Sequence, residues 1–205
     1  MRAHMPNPLM AALLLPALLT IGVVGAYAGT IYVCWDGSGD YLTIQEGIDA
    51  ASDGDEVVVC DGTYTGPGNK DLDFHGKAIT VRSANGPDNC VIDCEQRGRG
   101  FYFRSGETKA SVMDGFTITG GHAGQGGAIY CSETSPTVLN CVISANVAVE
   151  GGGIYCSESS PTVVNCVIRD NSALFGNGGG GIYCFEGSPT FVNCVIAENT
   201  ADFDT

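Results

Sequence analysis

GGGIYCSESSPTVVNCVIRDN, residues 151–171, is the middle of three copies of one sequence unit. The other copies are GGAIYCSETSPTVLNCVISAN (126–146) and GGGIYCFEGSPTFVNCVIAEN (179–199), which begin 25 residues before it and 28 residues after it. The two cysteines of each copy are ten residues apart. A fixed period of this size predicts a solenoid of stacked repeats.

The pattern within one copy predicts short strands joined at corners. Apolar and polar side chains alternate, as in Ile154, Tyr155 and Cys156, which indicates strands with one buried face. Gly and Asn share the ability to adopt positive φ, so one series of corners is predicted at Gly115, Asn140, Asn165 and Asn193. A second series is predicted at Asn146, Asn171 and Asn199, with amides that hydrogen-bond from coil to coil. We therefore predict a parallel β-helix over residues 56–205, with three strands per coil and a right-handed crossover.

Residues 29–55 are predicted to cap the first coil. A short strand at Thr30–Cys34 precedes a helix, for which Thr43 and Glu46 supply a capping box and Ile44 and Ile48 an apolar face. Such a lid would cover the apolar layer and open strand edge of the first coil. No equivalent cover follows residue 199, so we predict a solenoid that is truncated at its carboxyl terminus.

Residues 1–28 are predicted to be a secretory signal sequence. Arg2 precedes an apolar run, and Ala26, Tyr27 and Ala28 form a small-residue cleavage site, so we expect cleavage after Ala28. An uncleaved membrane anchor is the alternative, because residues 9–26 contain no charge. Either way, we expect the remainder to be secreted or held at the cell surface.

The composition is acidic, with 23 Asp and Glu against nine Lys and Arg and a net charge of −14. Cleavage after residue 28 would remove one basic residue and no acidic one. We therefore expect neither nucleic acid nor, once the signal is cleaved, a membrane surface as partner. A polysaccharide or a surface protein remains as a possible partner. No cofactor is predicted.

The ten cysteines are predicted mainly to fill the core. The copy that precedes the three quoted ones has Phe103 and Phe116 where they have cysteine, and a position that accepts phenylalanine is apolar. Disulfides between coils remain an alternative, since stacked Cα atoms lie about 4.8 Å apart. Outside the repeats, the disulfide candidates are Cys34 with Cys60 and Cys90 with Cys94.

Two outward columns contain the candidate binding residues. Tyrosine recurs at one position of successive coils: Tyr102, Tyr130, Tyr155 and Tyr183. This column is either a stack that stabilises its sheet or a platform for sugar rings or a partner protein. Glutamate recurs at another position: Glu133, Glu158 and Glu186. We interpret these carboxylates as solvated, and only weakly as a Ca²⁺ site.

The repeats resemble a known family. GG-A/G-I followed by I-x-x-N, as at 143–146, 168–171 and 196–199, is similar to the repeats of polymorphic outer-membrane proteins. More broadly, the chain resembles the pectin-lyase-like superfamily of right-handed β-helices, and residues 36–51 and 62–64 resemble the amino-terminal cap of pectin methylesterases. The resemblance implies the fold and a role with polysaccharides.

No residue is predicted to be catalytic. The Gln-Ala-Val, Gln-Asp and Asp-Phe-Ile-Phe-Gly motifs of pectin methylesterases do not occur in this sequence. Lyases and hydrolases of this superfamily need clustered carboxylates with Arg or Lys, and the repeats offer only Asp170 beside Arg169, with Glu198 one coil further on. His75 and His122 are isolated and are assigned no role.

These patterns together predict an all-β solenoid that acts as an exported binding or surface-structural module, with carbohydrate as the first ligand class. One alternative is a polysaccharide-active lyase, hydrolase or esterase whose catalytic residues lie beyond residue 205. Another is the passenger domain of an adhesin. The sequence does not decide whether the chain is an enzyme.

Overall fold

The computed structural model describes residues 28–174 and 178–202. All but one residue of the predicted signal sequence lies outside this range, so that prediction stays a prediction. The elements follow in the order β1 (Thr30–Val33), α1 (Ile44–Ala50), β2 (Glu56–Val59), β3 (Gly62–Tyr64), β4 (Thr80–Ser83), β5 (Cys90–Asp93), β6 (Phe101–Phe103), β7 (Val112–Asp114), β8 (Thr117–Thr119), β9 (His122–Gln125), β10 (Ile129–Ser132), β11 (Thr137–Leu139), β12 (Val142–Ser144), β13 (Val147–Glu150), β14 (Ile154–Ser157), β15 (Thr162–Val164), β16 (Val167–Arg169), β17 (Ser172–Ala173), β18 (Ile182–Phe185), β19 (Thr190–Val192), β20 (Val195–Ala197) and β21 (Thr200–Ala201).

The strands form four parallel sheets. Sheet 1 has the order β1-β2-β4-β7-β11-β15-β19, sheet 2 the order β3-β5-β8-β12-β16-β20, sheet 3 the order β9-β13-β17-β21 and sheet 4 the order β6-β10-β14-β18. Equivalent residues of successive copies are register partners, as Tyr130 is of Tyr155 and Val138 of Val163. The predicted parallel solenoid is confirmed.

The repeat coils contain four strands each, so the prediction of three is wrong. The strands of sheet 3 lie at sequences such as HAGQ and SA, which lack a regular apolar alternation. They are strands because their backbones pair with the coils before and after them. Side-chain periodicity carries no signal for a strand that the stack imposes in this way.

Each repeat coil turns at four left-handed corners. The predicted corners at Asn140, Asn165 and Asn193 are found, with φ of 50°, 55° and 52°. At the second series the left-handed residues are instead those one position earlier: Ala145, Asp170 and Glu198. The remaining corners lie at Gly126, Gly151 and Gly179 and at Glu133, Glu158 and Glu186. Because the corner residue precedes it, the asparagine of the second series is left to point inward.

These inward asparagines form a buried amide ladder. Asn146 Nδ2 donates to Asn171 Oδ1 (3.0 Å), and Asn171 Nδ2 donates to Asn199 Oδ1 (2.9 Å). The backbone N–H of Asn146 donates to the same Asn171 oxygen (3.1 Å). Asn146 and Asn171 are fully buried. The predicted coil-to-coil amide bonds are therefore present, and they satisfy polar groups inside the corner.

Helix α1 closes the amino-terminal end of the stack. Its capping box is formed, since Thr43 Oγ1 accepts from the Glu46 N–H (3.4 Å) and the Glu46 carboxylate accepts from the Thr43 N–H (3.1 Å). The helix lies so close to sheet 1 that a Cβ on Gly47 would come 2.5 Å from Val33 Cγ2. In the described part of the chain no helix is long and apolar enough to cross a bilayer.

The core changes character along the stack. Its amino-terminal part is aromatic, with Phe74, Phe101, Phe103 and Phe116 fully buried in mutual contact. Cysteine replaces phenylalanine in the later coils. The thiols that follow the corners at Asn140 and Asn165 also make hydrogen bonds: Cys141 Sγ accepts from the Phe116 N–H, and Cys166 Sγ accepts from the Cys141 N–H, each at 3.4 Å. In the last described coil the core position is open, with Ile196 51 % exposed.

Candidate functional site

The predicted tyrosine column lies on the outer side of sheet 4. Tyr102, Tyr130, Tyr155 and Tyr183 are consecutive register partners on β6, β10, β14 and β18. The rings of Tyr130 and Tyr155 are stacked at 5.3 Å and 9°, and those of Tyr155 and Tyr183 at 5.4 Å and 14°. Tyr102 meets Tyr130 edge-on at 5.0 Å. The rings therefore stand side by side along the solenoid, one per coil.

This stacking covers the ring faces. Tyr155, between two parallel neighbours, is only 6 % exposed. Both guanidinium groups near Tyr102 lie over its ring, Arg99 at 4.4 Å and Arg104 at 4.3 Å from the centroid. The half-buried Tyr102, Tyr130 and Tyr183 therefore offer ring edges and hydroxyl groups to a ligand, and stacking of sugar rings on the inner tyrosines is blocked.

Asp73 continues the tyrosine column into the preceding coil. Leu72 pairs with Phe101, which places Asp73 beside Tyr102 on the outer side of the stack. The carboxylate is almost buried and accepts from the His75 N–H (2.8 Å) and from Arg104 Nε (3.1 Å). The hydrogen bond that Arg104 donates to Asp73 raises the pKa of Arg104. The aromatic column thus ends in a charged cluster.

Arg99 forms the other half of this cluster. The guanidinium of Arg99 lies over the rings of Tyr102 and Tyr130. The Arg99 side chain is only 15 % exposed, and this burial lowers its pKa. Asp71 Oδ1 lies 3.7 Å from Arg99 Nε, yet Nε and Nη1 make no hydrogen bond. A cation held between aromatic rings with so few partners is a strong recognition element for oxygen acceptors.

A polar network lies beside the middle of the column. Gln125 Nε2, on sheet 3, donates to Tyr155 Oη (3.0 Å) and to Glu150 Oε2 (2.8 Å). Burial raises the pKa of Tyr155, and the nearby Glu150 charge acts in the same direction. The hydroxyl group is therefore fixed in position and stays protonated. Hydroxyls held in this way suit hydrogen bonding to a hydroxyl-rich ligand.

The sequence predicted the tyrosines of this site but missed the charged cluster. Asp73, Arg99 and Arg104 lie outside the glycine- and cysteine-marked copies, and His75, which was assigned no role, lies beside Asp73 with Nδ1 3.5 Å from Oδ1. One signal could have found Asp73. Leu72-Asp73-Phe74 has the same apolar-polar-apolar pattern as Phe101-Tyr102-Phe103 one coil later.

Of the two predicted disulfides, one is present and the other is not. Cys34 and Cys60 form a disulfide with their Cα atoms 5.0 Å apart. The pairing of Cys90 with Cys94 is wrong, because both are free, buried thiols. Cys90 is the first residue of the extended strand β5 and Cys94 follows its last, and four extended residues span about 13 Å, whereas a disulfide needs Cα atoms within about 7 Å. The described cysteines of the repeats are likewise free thiols.

We expect the protein to lose stability at alkaline pH because the thiols of Cys90 and Cys94 are buried. Burial raises the pKa of Cys90 and Cys94 from 9.0 to about 12. Above pH 9 the unfolded chain releases protons that the folded chain retains, so the stability present below that pH is lost as the pH rises through 12. The loss is about 1.4 kcal/mol per pH unit and thiol. Urea unfolding at a series of pH values measures it.

A matched variant isolates one thiol. Tyr64, whose pKa burial raises to about 12, contributes in the same direction, so the wild-type slope is a sum. Cys94→Ala should lower stability at neutral pH but reduce the alkaline slope by the share of one thiol. A slope equal to that of the wild type would show that Cys94 does not titrate as a buried group.

The glutamate column lies at the surface of the solenoid. Glu133, Glu158 and Glu186 are exposed residues at left-handed corners, with φ of 53°, 49° and 49°. Throughout residues 28–174 and 178–202, no three His, Cys, Asp or Glu side chains are grouped as metal ligands. Arg169 and Asp170, the one carboxylate and cation pair noted in the repeats, contact each other on the surface.

The comparisons with known proteins agree with the fold. The family described as "Right handed beta helix region" matches residues 57–202. A pectin methylesterase from carrot has a similar structure, with a TM-score of 0.58 and 18 % identity over 82 % of this chain and 52 % of that protein. This chain thus spans about half the length of that structure, and at this identity the likeness shows the fold alone. No curated protein matches the sequence. The predicted pectin-lyase-like architecture and its right-handedness are confirmed, and the chain belongs to the right-handed β-helix family.

Proposed function

We propose that the chain is an exported module that binds a polysaccharide along the outer side of sheet 4. One observation carries the proposal: Asp73 and the four tyrosines form a single row, one residue per coil, parallel to the solenoid axis. A row of this kind places a hydrogen-bonding group at every coil, and those of Tyr102, Tyr130 and Tyr183 are on half-buried side chains that a ligand can reach. An extended polymer with regularly spaced hydroxyls matches it better than a compact ligand does.

The groups beside the row suit the same ligand. Arg99 and Arg104 lie at one end of it, and Gln125 and Glu150 beside its middle. Amide, carboxylate, guanidinium and phenol groups together supply donors and acceptors for sugar hydroxyls. The relative from carrot is named for pectin, which adds support for a polysaccharide. The predicted signal sequence and the Cys34–Cys60 disulfide favour an exported protein.

An enzyme acting on polysaccharide is the second candidate. Asp71 and Asp73 lie beside Arg99 and Arg104 at the end of the row, and paired carboxylates with cations are what acid–base chemistry on a polymer needs. The cluster lies inside this chain, whereas the sequence placed any active residues beyond it. Turnover of a polysaccharide by the purified chain would favour this candidate over the binding module.

Removing the tyrosine hydroxyls should weaken binding without disturbing the fold. In the triple variant Tyr130→Phe, Tyr155→Phe and Tyr183→Phe the stacked rings remain and Gln125 Nε2 keeps its bond to Glu150, so we expect a loss of stability of only about 1 kcal/mol, from the bond to Tyr155 Oη. Each lost hydrogen bond is worth about 1 kcal/mol, so retardation in gels that contain soluble polysaccharides should indicate at least about tenfold weaker binding.

The control has two exposed tyrosines outside the row. Tyr32→Phe with Tyr41→Phe removes phenol groups near the amino-terminal cap and should leave retardation unchanged. Equal retardation of the triple variant and the wild type, or no retardation of the wild type by any neutral or acidic polysaccharide, would refute the proposal.

A further inference from the structure

The only tryptophan of the chain is fixed in an exposed position. Trp35 follows β1 and is 62 % exposed, the highest value among the large apolar side chains of the described residues. An indole ring carries a large apolar area that is usually buried. Its exposure therefore calls for an explanation other than packing of the core.

The surroundings hold Trp35 rigidly. Its Nε1–H donates to the Asp61 carbonyl (3.1 Å), and the neighbouring residue Cys34 is joined by the disulfide to Cys60. The ring lies against Gly62, whose φ is 149° and where a Cβ would be 2.5 Å from the indole nitrogen. A larger residue at position 62 would displace the ring. The exposed indole is therefore held in one orientation before any ligand binds.

Two acidic residues are neighbours of Trp35: Asp36 follows it in the chain, and Asp61 supplies the carbonyl that its indole binds. Asp61 accepts two hydrogen bonds from Asn85 Nδ2 (3.0 and 3.1 Å), and Asp36 accepts from the Ser38 N–H (3.0 Å) and hydroxyl (2.7 Å). Both carboxylates are exposed, and among the described residues neither forms a salt bridge. Each keeps further lone pairs for hydroxyl donors. A ligand with its own negative charge would be repelled.

We propose that Trp35, Asp36, Asp61 and Asn85 form a second binding site, which takes an uncharged sugar ring. The indole face, negative at its centre, contacts the C–H face of the sugar, and the two carboxylates accept from its hydroxyls. The site shares no residue with the tyrosine row and lies on another side of the solenoid, because Asp61 is at the corner between β2 of sheet 1 and β3 of sheet 2 whereas the row is on sheet 4. It therefore stands independently of the function proposed for sheet 4.

Because the chain has one tryptophan, its fluorescence reports on this site alone. We expect neutral oligosaccharides, such as those of glucose, xylose or galactose, to shift the emission saturably, with a midpoint on the order of 1 mM. Oligosaccharides of uronic acids should give a midpoint at least about tenfold higher. The triple tyrosine-to-phenylalanine variant should respond like the wild type, which separates this site from the one on sheet 4.

Two variants complete the test, with affinity electrophoresis on neutral polysaccharides as readout. In the background of the triple tyrosine-to-phenylalanine variant, which removes the contribution of sheet 4, Trp35→Ala should weaken binding at least about tenfold, whereas Trp35→Phe should keep part of it. Since the ring is exposed and its bond to the Asp61 carbonyl lies at the surface, both should melt within a few degrees of the wild type. Unchanged binding by Trp35→Ala, equal response to neutral and uronic oligosaccharides, or a shift with phosphatidylcholine vesicles but none with any neutral sugar would overturn the proposal.

Discussion

Asn171→Ala should be among the most destabilising single substitutions, costing roughly 3–5 kcal/mol, or about 10 °C in Tm. The side chain is fully buried, and its Oδ1 accepts from both the backbone and the amide of Asn146 (3.1 and 3.0 Å). Its Nδ2 donates to the Ile143 carbonyl (2.9 Å) and to Asn199 Oδ1 (2.9 Å). Alanine removes all of these partners and leaves buried donors and acceptors unpaired, each of which costs about 1–3 kcal/mol. Urea and thermal unfolding measure the loss.

Asn165→Gly is the matched control for the buried ladder. Asn165 also bonds to asparagines of neighbouring coils, donating to Asn140 Oδ1 (3.3 Å) and accepting from Asn193 Nδ2 (2.7 Å), but it is exposed. Glycine keeps the left-handed φ of 55° without strain. We expect a loss below about 1 kcal/mol, because water replaces the lost amide. Equal losses in the two variants would show that burial of the ladder does not matter.

The sequence was sufficient for the fold wherever one residue type serves one physical purpose. Thr43 and Glu46 specify the start of the capping helix, and the Asn140 series specifies a corner, because few residues tolerate that backbone conformation. The fourth strand of each coil was missed because backbone pairing between coils defines it. No choice of side chains at residues 172–173 marks that strand.

The candidate site was only partly predictable for a related reason. The tyrosines repeat at a fixed interval, so their column follows from the register alone. The charged cluster depends on coils and loops that do not follow the repeat. Asp73 belongs to an irregular coil and is aligned with the column only through the pairing of Leu72 with Phe101, and Arg99 and Arg104 lie before and after β6. Likewise, the faces of the tyrosine rings are covered because the rings are stacked, and the interval between tyrosines in the sequence does not reveal the orientation of the rings.

Phe103→Cys tests whether the repeat consensus can be imposed on an earlier coil. Cys131 is the register partner of Phe103, so the substitution introduces the residue that the next coil uses. We nevertheless expect a loss of about 3–4 kcal/mol. Phe103 is fully buried and lies 6.0 Å from the parallel ring of Phe101 and 5.0 Å from Phe74. A thiol leaves a cavity between these rings, because Phe74 and Phe101 belong to the same aromatic part of the core and cannot close the space.

The double variant Phe103→Cys with Cys131→Phe distinguishes local shape from total volume. It restores the volume of the core but moves the ring one coil away from Phe74, towards the thiol of Cys156, the register partner of position 131. If local fit governs stability, the double variant stays at least about 2 kcal/mol below the wild type, since overpacking at position 131 adds to the cavity at 103. Recovery to within about 1 kcal/mol would instead mean that the coils repack freely. Cys156→Ala, which removes a single sulfur atom from the thiol layer, calibrates the comparison with an expected loss of about 1 kcal/mol.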